Sequence, residues 1–181
     1  LAQRFKNSQI TAIELDASAA EQAAENFSQS PWSNRLSSQN ILLQEFKSEK
    51  RFDLMVSNPP YFENMSKATG SKRAQARHTD LLSFETLIQH SAQLLSKKGV
   101  LALVLPNKSK EKVVKLALEK GLHLHRICSV KGNENTPVKR VLMQFSFLQQ
   151  DIEESSLIIE QSRHQYTEEY IRLCKEFYLK M

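Results

Sequence analysis

The stretch Asp53–Asn64, "DLMVSNPPYFEN", holds a short apolar strand that stops at Asn58 and runs into two prolines and two aromatic residues. Proline has no backbone donor and keeps the residue before it extended, so Asn58-Pro59-Pro60 marks an abrupt strand end. An ordinary loop could end the strand with any polar residue and a glycine. Tyr61 and Phe62 just past that end ask for a further reason, because flat rings held there can sandwich a flat ligand.

On the amino-terminal side, "ITAIELD" (Ile10 to Asp16) reads as a buried strand ending in two carboxylates. The alanine-rich "ASAAEQAAENF" that follows is strongly helical, with Asp16 or Ser18 as N-cap, and "SPW" at Ser30–Trp32 closes it. "RLSSQNILLQEF" is a weaker strand followed by a turn.

On the carboxyl-terminal side, residues 65–80 are polar and read as an exposed loop. Leu81, Phe84, Leu87, Ile88, Leu94 and Leu95 then recur at helical spacing. In "KKGVLALVLP", Gly99 reads as a helix stop and the apolar run after it as a strand covered on both faces. "KSKEKVVKLALEKG" is an amphipathic helix ending at Gly121. "LHLHRICSV" and "KRVLMQFSFL" are strands whose short link suits an antiparallel hairpin, and "YTEEYIRLCKEFYL" is a final helix. This order predicts an α/β, doubly wound, mostly parallel sheet with a C-terminal antiparallel hairpin, in a single domain over residues 1–181.

Bulk composition agrees with one globular domain. Of 181 residues, 40% are hydrophobic and 25% charged, and a net charge of +5 favours an acidic partner such as nucleic acid. Cys128 and Cys174 match neither a zinc spacing nor a redox CxxC, which suits reduced thiols in a cytoplasmic protein. No apolar run is long enough for a membrane span and no secretory signal is present, so no membrane partner is expected. The start at Leu1 reads as a cut edge, with "LAQRF" as the last turn of a helix already under way.

Ligands of doubly wound sheets bind outside the carboxyl ends of the strands. Glu14 stands at one such end, where an acceptor-only carboxylate can take both hydroxyls of a ribose. Asp16, two residues on, reads as a helix cap. Asn58 stands at another. Its side-chain oxygen and the next backbone carbonyl are two acceptors for the two hydrogens of an adenine-like amine, with an aromatic ring after them to stack on the base. The loop from Ser66 to His78 carries Lys67, Lys72, Arg73 and Arg77 and no acidic residue. Beside a base-sized pocket these read as phosphate contacts rather than a solvated face. Lys108, Lys110, Lys112 and Lys115, on the helix after "VLP", can extend the patch, although Glu111 and Glu119 dilute it. His123 and His125 alternate on a strand, but no Asp, Glu or Cys beside them completes a metal set, so packing is the expected role.

The segments "AIELD", "AAENFSQSPW", "RFDLMVSNPPYF", "RAQARHT", "VLP", "RVLMQFS" and "YTEEYIRLCKEFYLKM" together resemble the bacterial tRNA1(Val) adenine methyltransferases, and the likeness runs from Leu1 to Met181. These are S-adenosylmethionine-dependent enzymes of the Rossmann-like class I, marked by NPPY, that methylate the exocyclic amine of an adenine beside the anticodon of a valine tRNA. The resemblance implies S-adenosylmethionine as cofactor and tRNA as partner. It assigns Glu14, Leu15, Asn40, Ile41 and Asn58 to the cofactor and Asn58, Pro59, Pro60 and Tyr61 to the target base. Lys67, Lys72, Arg73, Arg77 and His78 fall to the RNA, with no metal and a monomer favoured.

Two departures stand against that pattern. The family's glycine-rich cofactor loop precedes the helix that ends in "LAQRF", and none of Gly70, Gly99, Gly121 and Gly132 can replace it. The fragment is therefore expected to bind cofactor weakly or to be inactive. The family also tends to place an acidic residue where this chain has Gln39, Asn40 and Ile41, leaving Asn40 to pair with the adenine edge. Two other functions compete: methylation of a protein glutamine in a translation factor, since a carboxamide presents the same two donors to NPPY, and a noncatalytic RNA-binding module.

Overall fold

Asp16 turns the first strand into the first helix. β1 (Ile10–Glu14) ends two residues before it, α1 (Ala17–Gln29) begins one residue after it, and its carboxylate accepts the Ala19 amide at 2.9 Å. Such a cap satisfies a donor that the helix itself leaves unpaired and stabilises it by about 1 kcal/mol. Of the two candidate caps in the sequence, Asp16 is the one used. These elements belong to a computed structural model that describes residues 1–59 and 82–179, divided between two units, Leu1–Glu49 and Lys50–Met181.

In the first unit β1 pairs in parallel with β2 (Leu36–Asn40), from Ile10 opposite Leu36 to Glu14 opposite Asn40. "LAQRF" forms one helical turn, closed by the Phe5 amide on the Leu1 carbonyl at 2.9 Å. The Arg35 guanidinium holds that turn, donating to the carbonyls of Ala2, Phe5 (2.8 Å) and Ser8 (3.1 Å). One planar fork thus satisfies three acceptors that no ladder reaches.

In the second unit β3 (Phe52–Ser57) is followed by α2 (Phe84–Leu94), β4 (Leu95–Pro106), α3 (Lys110–Glu119), β5 (His123–Lys131) and β6 (Arg140–Ser146). β7 (Glu153–Ile158), β8 (Glu160–Ser162), β9 (Gln165–Tyr166) and α4 (Glu168–Cys174) complete it. The sheet order is β3-β4-β6-β5-β7. β3 runs parallel to β4 and β5 parallel to β7, while β6 lies antiparallel between β4 and β5. The hairpin expected from the short link 132–139 is β5–β6, and β6 returns through the middle of the sheet.

Period-two alternation builds the core. Leu101, Leu103 and Leu105 of β4 stand opposite Phe145, Met143 and Val141 of β6, and all six are at most 2% exposed. Residues paired in register share a face, so these six form one apolar surface. Phe84, Leu87, Ile88 and Leu94 of α2 with Val113 and Ala117 of α3 are the buried stripes of the two helices that follow β3 in the chain. On the other face Leu54 and Val56 of β3 and Leu142 of β6 are 38%, 51% and 38% exposed, while Val100, Ala102 and Val104 of β4 are half-buried.

Gly99 does not stop the helix. α2 ends at Leu94 with an extended Leu95 behind it, and Gly99 lies within β4. There the β3–β4 register shifts between Phe52 and Leu54, and a Cβ on Gly99 would come within 2.6 Å of the Phe52 carbonyl oxygen. Its role is close backbone approach. Gly121 does stop a helix: φ is +75° and the Leu122 amide reaches back to the Ala117 carbonyl at 2.9 Å, closing α3 in a Schellman-type turn. β7, β8 and β9 have no counterpart in the sequence reading, because "EESSLI" and "EQSRHQY" lack an apolar alternation. The final helix stops at Cys174, shorter than its apolar spacing predicts.

His125 is the extra residue of a bulge in β5, between Leu124 opposite Phe145 and Arg126 opposite Gln144. The bulge breaks the regular alternation with His123, and the His125 Nε2 is buried with no hydrogen-bond partner. Burial, then the neighbouring Arg126 cation, lowers its pKa from the ordinary 6.5, with Glu153 opposing. Among the described residues no group of three or more His, Cys, Asp or Glu could hold a metal ion, and no helix is long and apolar enough to cross a membrane.

Two outcomes follow from this packing. Gly99→Ala is expected to lower unfolding stability by about 1–3 kcal/mol, the usual cost of forcing an atom into a filled site, read as a drop in the urea midpoint. His125 stays neutral in the folded state at pH values where the unfolded chain would protonate it. Its stabilisation is complete above pH 6.5 and is lost as pH falls from there toward the lowered folded value. Urea midpoints measured across that window should show a slope that His125→Leu reduces.

Candidate active site at the strand ends

The turn after β1 is tied from three directions. The Asn40 side-chain amide donates to the carbonyls of Glu14 (2.9 Å) and Leu15 (2.8 Å). The Ile41 amide donates to the same Glu14 carbonyl at 3.1 Å, and the Asp16 amide donates to the Glu14 carboxylate Oε1 at 2.9 Å. Both atoms that Asn40 faces are carbonyl oxygens, which only accept, so its Nδ2 must be the atom turned toward them.

Glu14, half-buried at the carboxyl end of β1, therefore has its rotamer held by its own turn. Its Oε1 is engaged once, and a carboxylate has room for several further donors, so the group fits the two hydroxyls of a nucleoside ribose. Asn40 has a narrower role than the sequence suggests. Both hydrogens with which it could donate to an adenine edge are used inside the β1–β2 ladder, and Oδ1 is the atom left to accept from an adenine amine. No periodicity or spacing announces this clamp; its only sign in the sequence is an Asn at the last position of a strand.

In the second unit β3 delivers Asn58 one residue past its last ladder position, Ser57 opposite Leu103. Asn58 is exposed and Pro59 is buried. The end of β3 is thus where the sequence puts it. Pro60, Tyr61, Lys67, Lys72, Arg73, Arg77 and His78 lie outside the described residues.

One lysine of the helix after "VLP" is drawn out of the patch. Lys112 pairs with Glu85 of α2 at 3.3 Å and lies 5.8 Å from the Phe84 ring centroid. The Glu85 carboxyl is held below its ordinary value, first by its own backbone amide and then by Lys112 and Ser83, against partial desolvation. Lys112 serves the α2–α3 contact. Basic residues that the sequence reading passes over, Lys131, Lys139 and Arg140, lie at the carboxyl end of β5 and the start of β6.

Residues 2–133 match the family model of the Eco57I restriction-modification methylase. Over 183 residues the chain is 45% identical to the tRNA1(Val) (adenine(37)-N6)-methyltransferase of Flavobacterium psychrophilum, covering 100% of this chain and 78% of that protein. Proteins of the same name from Vibrio parahaemolyticus and Bacteroides fragilis are 43% and 41% identical, with 99% and 100% of this chain covered and 75% and 77% of theirs. This chain belongs to the tRNA1(Val) (adenine(37)-N6)-methyltransferase family.

Solved structures share the fold at lower identity. A predicted O-methyltransferase from Agrobacterium tumefaciens superposes with a TM-score of 0.70 at 16% identity, over 96% of this chain and 80% of its own. A methyltransferase from Pyrococcus furiosus gives 0.55 at 22%, over 81% and 66%. The Rossmann-like methyltransferase fold that the resemblance implies is therefore the observed one.

The clamp separates two roles for Asn40. Asn40→Asp keeps an acceptor but replaces both donors with a charge facing two carbonyl oxygens. A residue needed only to accept an adenine amine would tolerate that change. The geometry instead predicts at least a tenfold weaker binding of S-adenosylhomocysteine to the natural protein by calorimetry, with Asn40→Ala no worse than Asn40→Asp.

Proposed function

We propose that this protein transfers a methyl group from S-adenosylmethionine to the exocyclic amine of adenine 37 in tRNA1(Val), acting as a monomer in the cytoplasm. The observation that carries this reading is Asn58-Pro59 at the carboxyl end of β3, in a chain aligned over its whole given length with relatives named tRNA1(Val) (adenine(37)-N6)-methyltransferase. Those relatives are named for tRNA, which leaves the protein-glutamine alternative without an observation in its favour.

The bound cofactor supplies an electrophilic methyl group. The chain's own residues orient what receives it. An adenine amine is a poor nucleophile because its lone pair is delocalised into the ring. Accepting both N–H hydrogens, one at the Asn58 Oδ1 and one at the Pro59 carbonyl, holds the nitrogen so that the lone pair can leave conjugation. As the nitrogen becomes cationic, the same two dipoles stabilise it. Tyr61 supplies the ring on which a base taken out of its stack is held. Pro59 contributes no competing N–H beside these acceptors. Glu14 holds the cofactor ribose, and Lys67, Lys72, Arg73, Arg77 and His78 meet RNA phosphates.

Tritiated methyl transfer to bacterial tRNA followed by nucleoside analysis tests the reading, and N6-methyladenosine is the expected product. Asn58→Ala removes one of two acceptors and leaves stacking, worth about 1–3 kcal/mol per base, in place. Turnover by the natural protein should fall on the order of 100-fold or more while KM for tRNA changes only a few-fold. Turnover within a few-fold of wild type would remove Asn58 from the reaction.

A further inference from the structure

We infer that the carboxyl edge of the β3-β4-β6-β5 sheet carries a phosphate-binding rim, built from Lys108, Lys131, Lys139 and Arg140, that seats the tRNA backbone beside the base held at Asn58. The inference rests on the tRNA reading above and adds a second RNA surface to it.

Topology gathers the four cations. β3, β4 and β5 all point the same way, so their carboxyl ends share one edge, and β6 begins at that edge because it runs against them. Arg140 pairs with both Pro106 of β4 and Val130 of β5. The Asn107 amide donates to the Lys139 carbonyl at 3.1 Å, and the Lys139 amide donates to the Val130 carbonyl at 3.3 Å. Lys108 follows Asn107, and Lys131 is the last residue of β5. Residues separated by as many as 32 positions thus meet along one line, with their backbones held by the sheet.

The spacing suits a nucleic acid. Strands lie about 4.8 Å apart and rise about 3.3 Å per residue. β6 is two strands from β3, and β4 runs three residues past Leu103, the partner of Ser57. The rim therefore lies on the order of 10–15 Å from Asn58, a span of a few nucleotides. Lys108, Lys139 and Arg140 are exposed and Lys131 is half-buried. The acids nearest in sequence are Glu111 after Lys108, Glu134 in the hairpin link and Glu160 after β7, so four cations stand against three acids. Phosphate contacts of this kind position a substrate without reading its sequence.

The test compares two double variants of the natural protein, Lys131→Ala/Lys139→Ala on the rim and Lys97→Ala/Lys98→Ala at the start of β4, on the opposite edge. Binding of tRNA is followed from about 50 to 200 mM salt. The rim variant should lower the log–log salt slope by about 0.7–0.9 for each phosphate left without its cation and raise KM for tRNA, while S-adenosylhomocysteine affinity and melting temperature hold. Lys131→Arg/Lys139→Arg should restore the slope, and adding Lys108→Ala to the rim variant should lower it further. An unchanged slope overturns the rim, and so does an equal loss in the Lys97/Lys98 variant, which would make the effect one of net charge. If the wild-type protein binds tRNA through the rim without methylating it, the enzymatic reading fails and the rim stands. If it binds no tRNA, both fall.

Discussion

The second unit depends on the register between β4 and β6. Leu101, Leu103 and Leu105 meet Phe145, Met143 and Val141 on a single face, none more than 2% exposed. A slip of one strand by one residue would turn its three apolar side chains to the other face and expose them. At about 25 cal/mol per Å² of apolar surface, each such side chain represents on the order of 1.5–3 kcal/mol, so the alternative register is strongly disfavoured. Once it is set, the level at which each strand ends is set as well. Arg140 takes its place one residue before Val141 in that register, and Asn58 one residue past Ser57, which stands opposite Leu103.

The first unit works on a smaller scale and by polar means. Among its described residues only Ala2, Ala20 and Leu43 are buried apolar groups, so little of its order comes from a core. Instead Arg35 gathers three carbonyls and Asn40 gathers two, while Asp16 caps α1. Hydrogen bonds contribute about 1 kcal/mol each in net terms, but they are directional. A site that must offer a carboxylate in one rotamer gains more from direction than from bulk burial.

What can be read in the sequence, and what cannot, divides along the same line. The strand end at Asn58, the Asp16 cap, the Gly121 stop and the β5–β6 hairpin all rest on local chemistry, and each is where the residues place it. Gly99 misleads because a glycine behind a helical run has two uses, and only the approach of Phe52 from another strand tells them apart. The lysines of α3 look equivalent in sequence, yet Lys112 belongs to Glu85 of another helix. Asn40 facing Glu14, the His125 bulge and the rim residues all depend on which strand lies next to which, and no window of sequence contains that. β7 to β9 escape a sequence reading because strands with little apolar alternation carry almost no periodic signal.

On the proposed mechanism, charge in the second unit is distributed in a way the chemistry requires. Methylation makes the amine nitrogen cationic, so its immediate surroundings should be neutral acceptors, as the Asn58 side chain and the Pro59 carbonyl are. A lysine directly beside it, at about 4 Å, would oppose the developing charge by about 4 kcal/mol at an effective dielectric constant of 20. At about 12 Å the same lysine opposes it by only about 1.4 kcal/mol, before any phosphate pairs with it. On that reading, cations that hold the RNA belong on strand ends some way from the one that would hold the base. β6, entering antiparallel between β4 and β5, puts its first residues at that remove. An all-parallel sheet would bring only strand ends to this edge, and the return strand is what lets Lys139 and Arg140 join it.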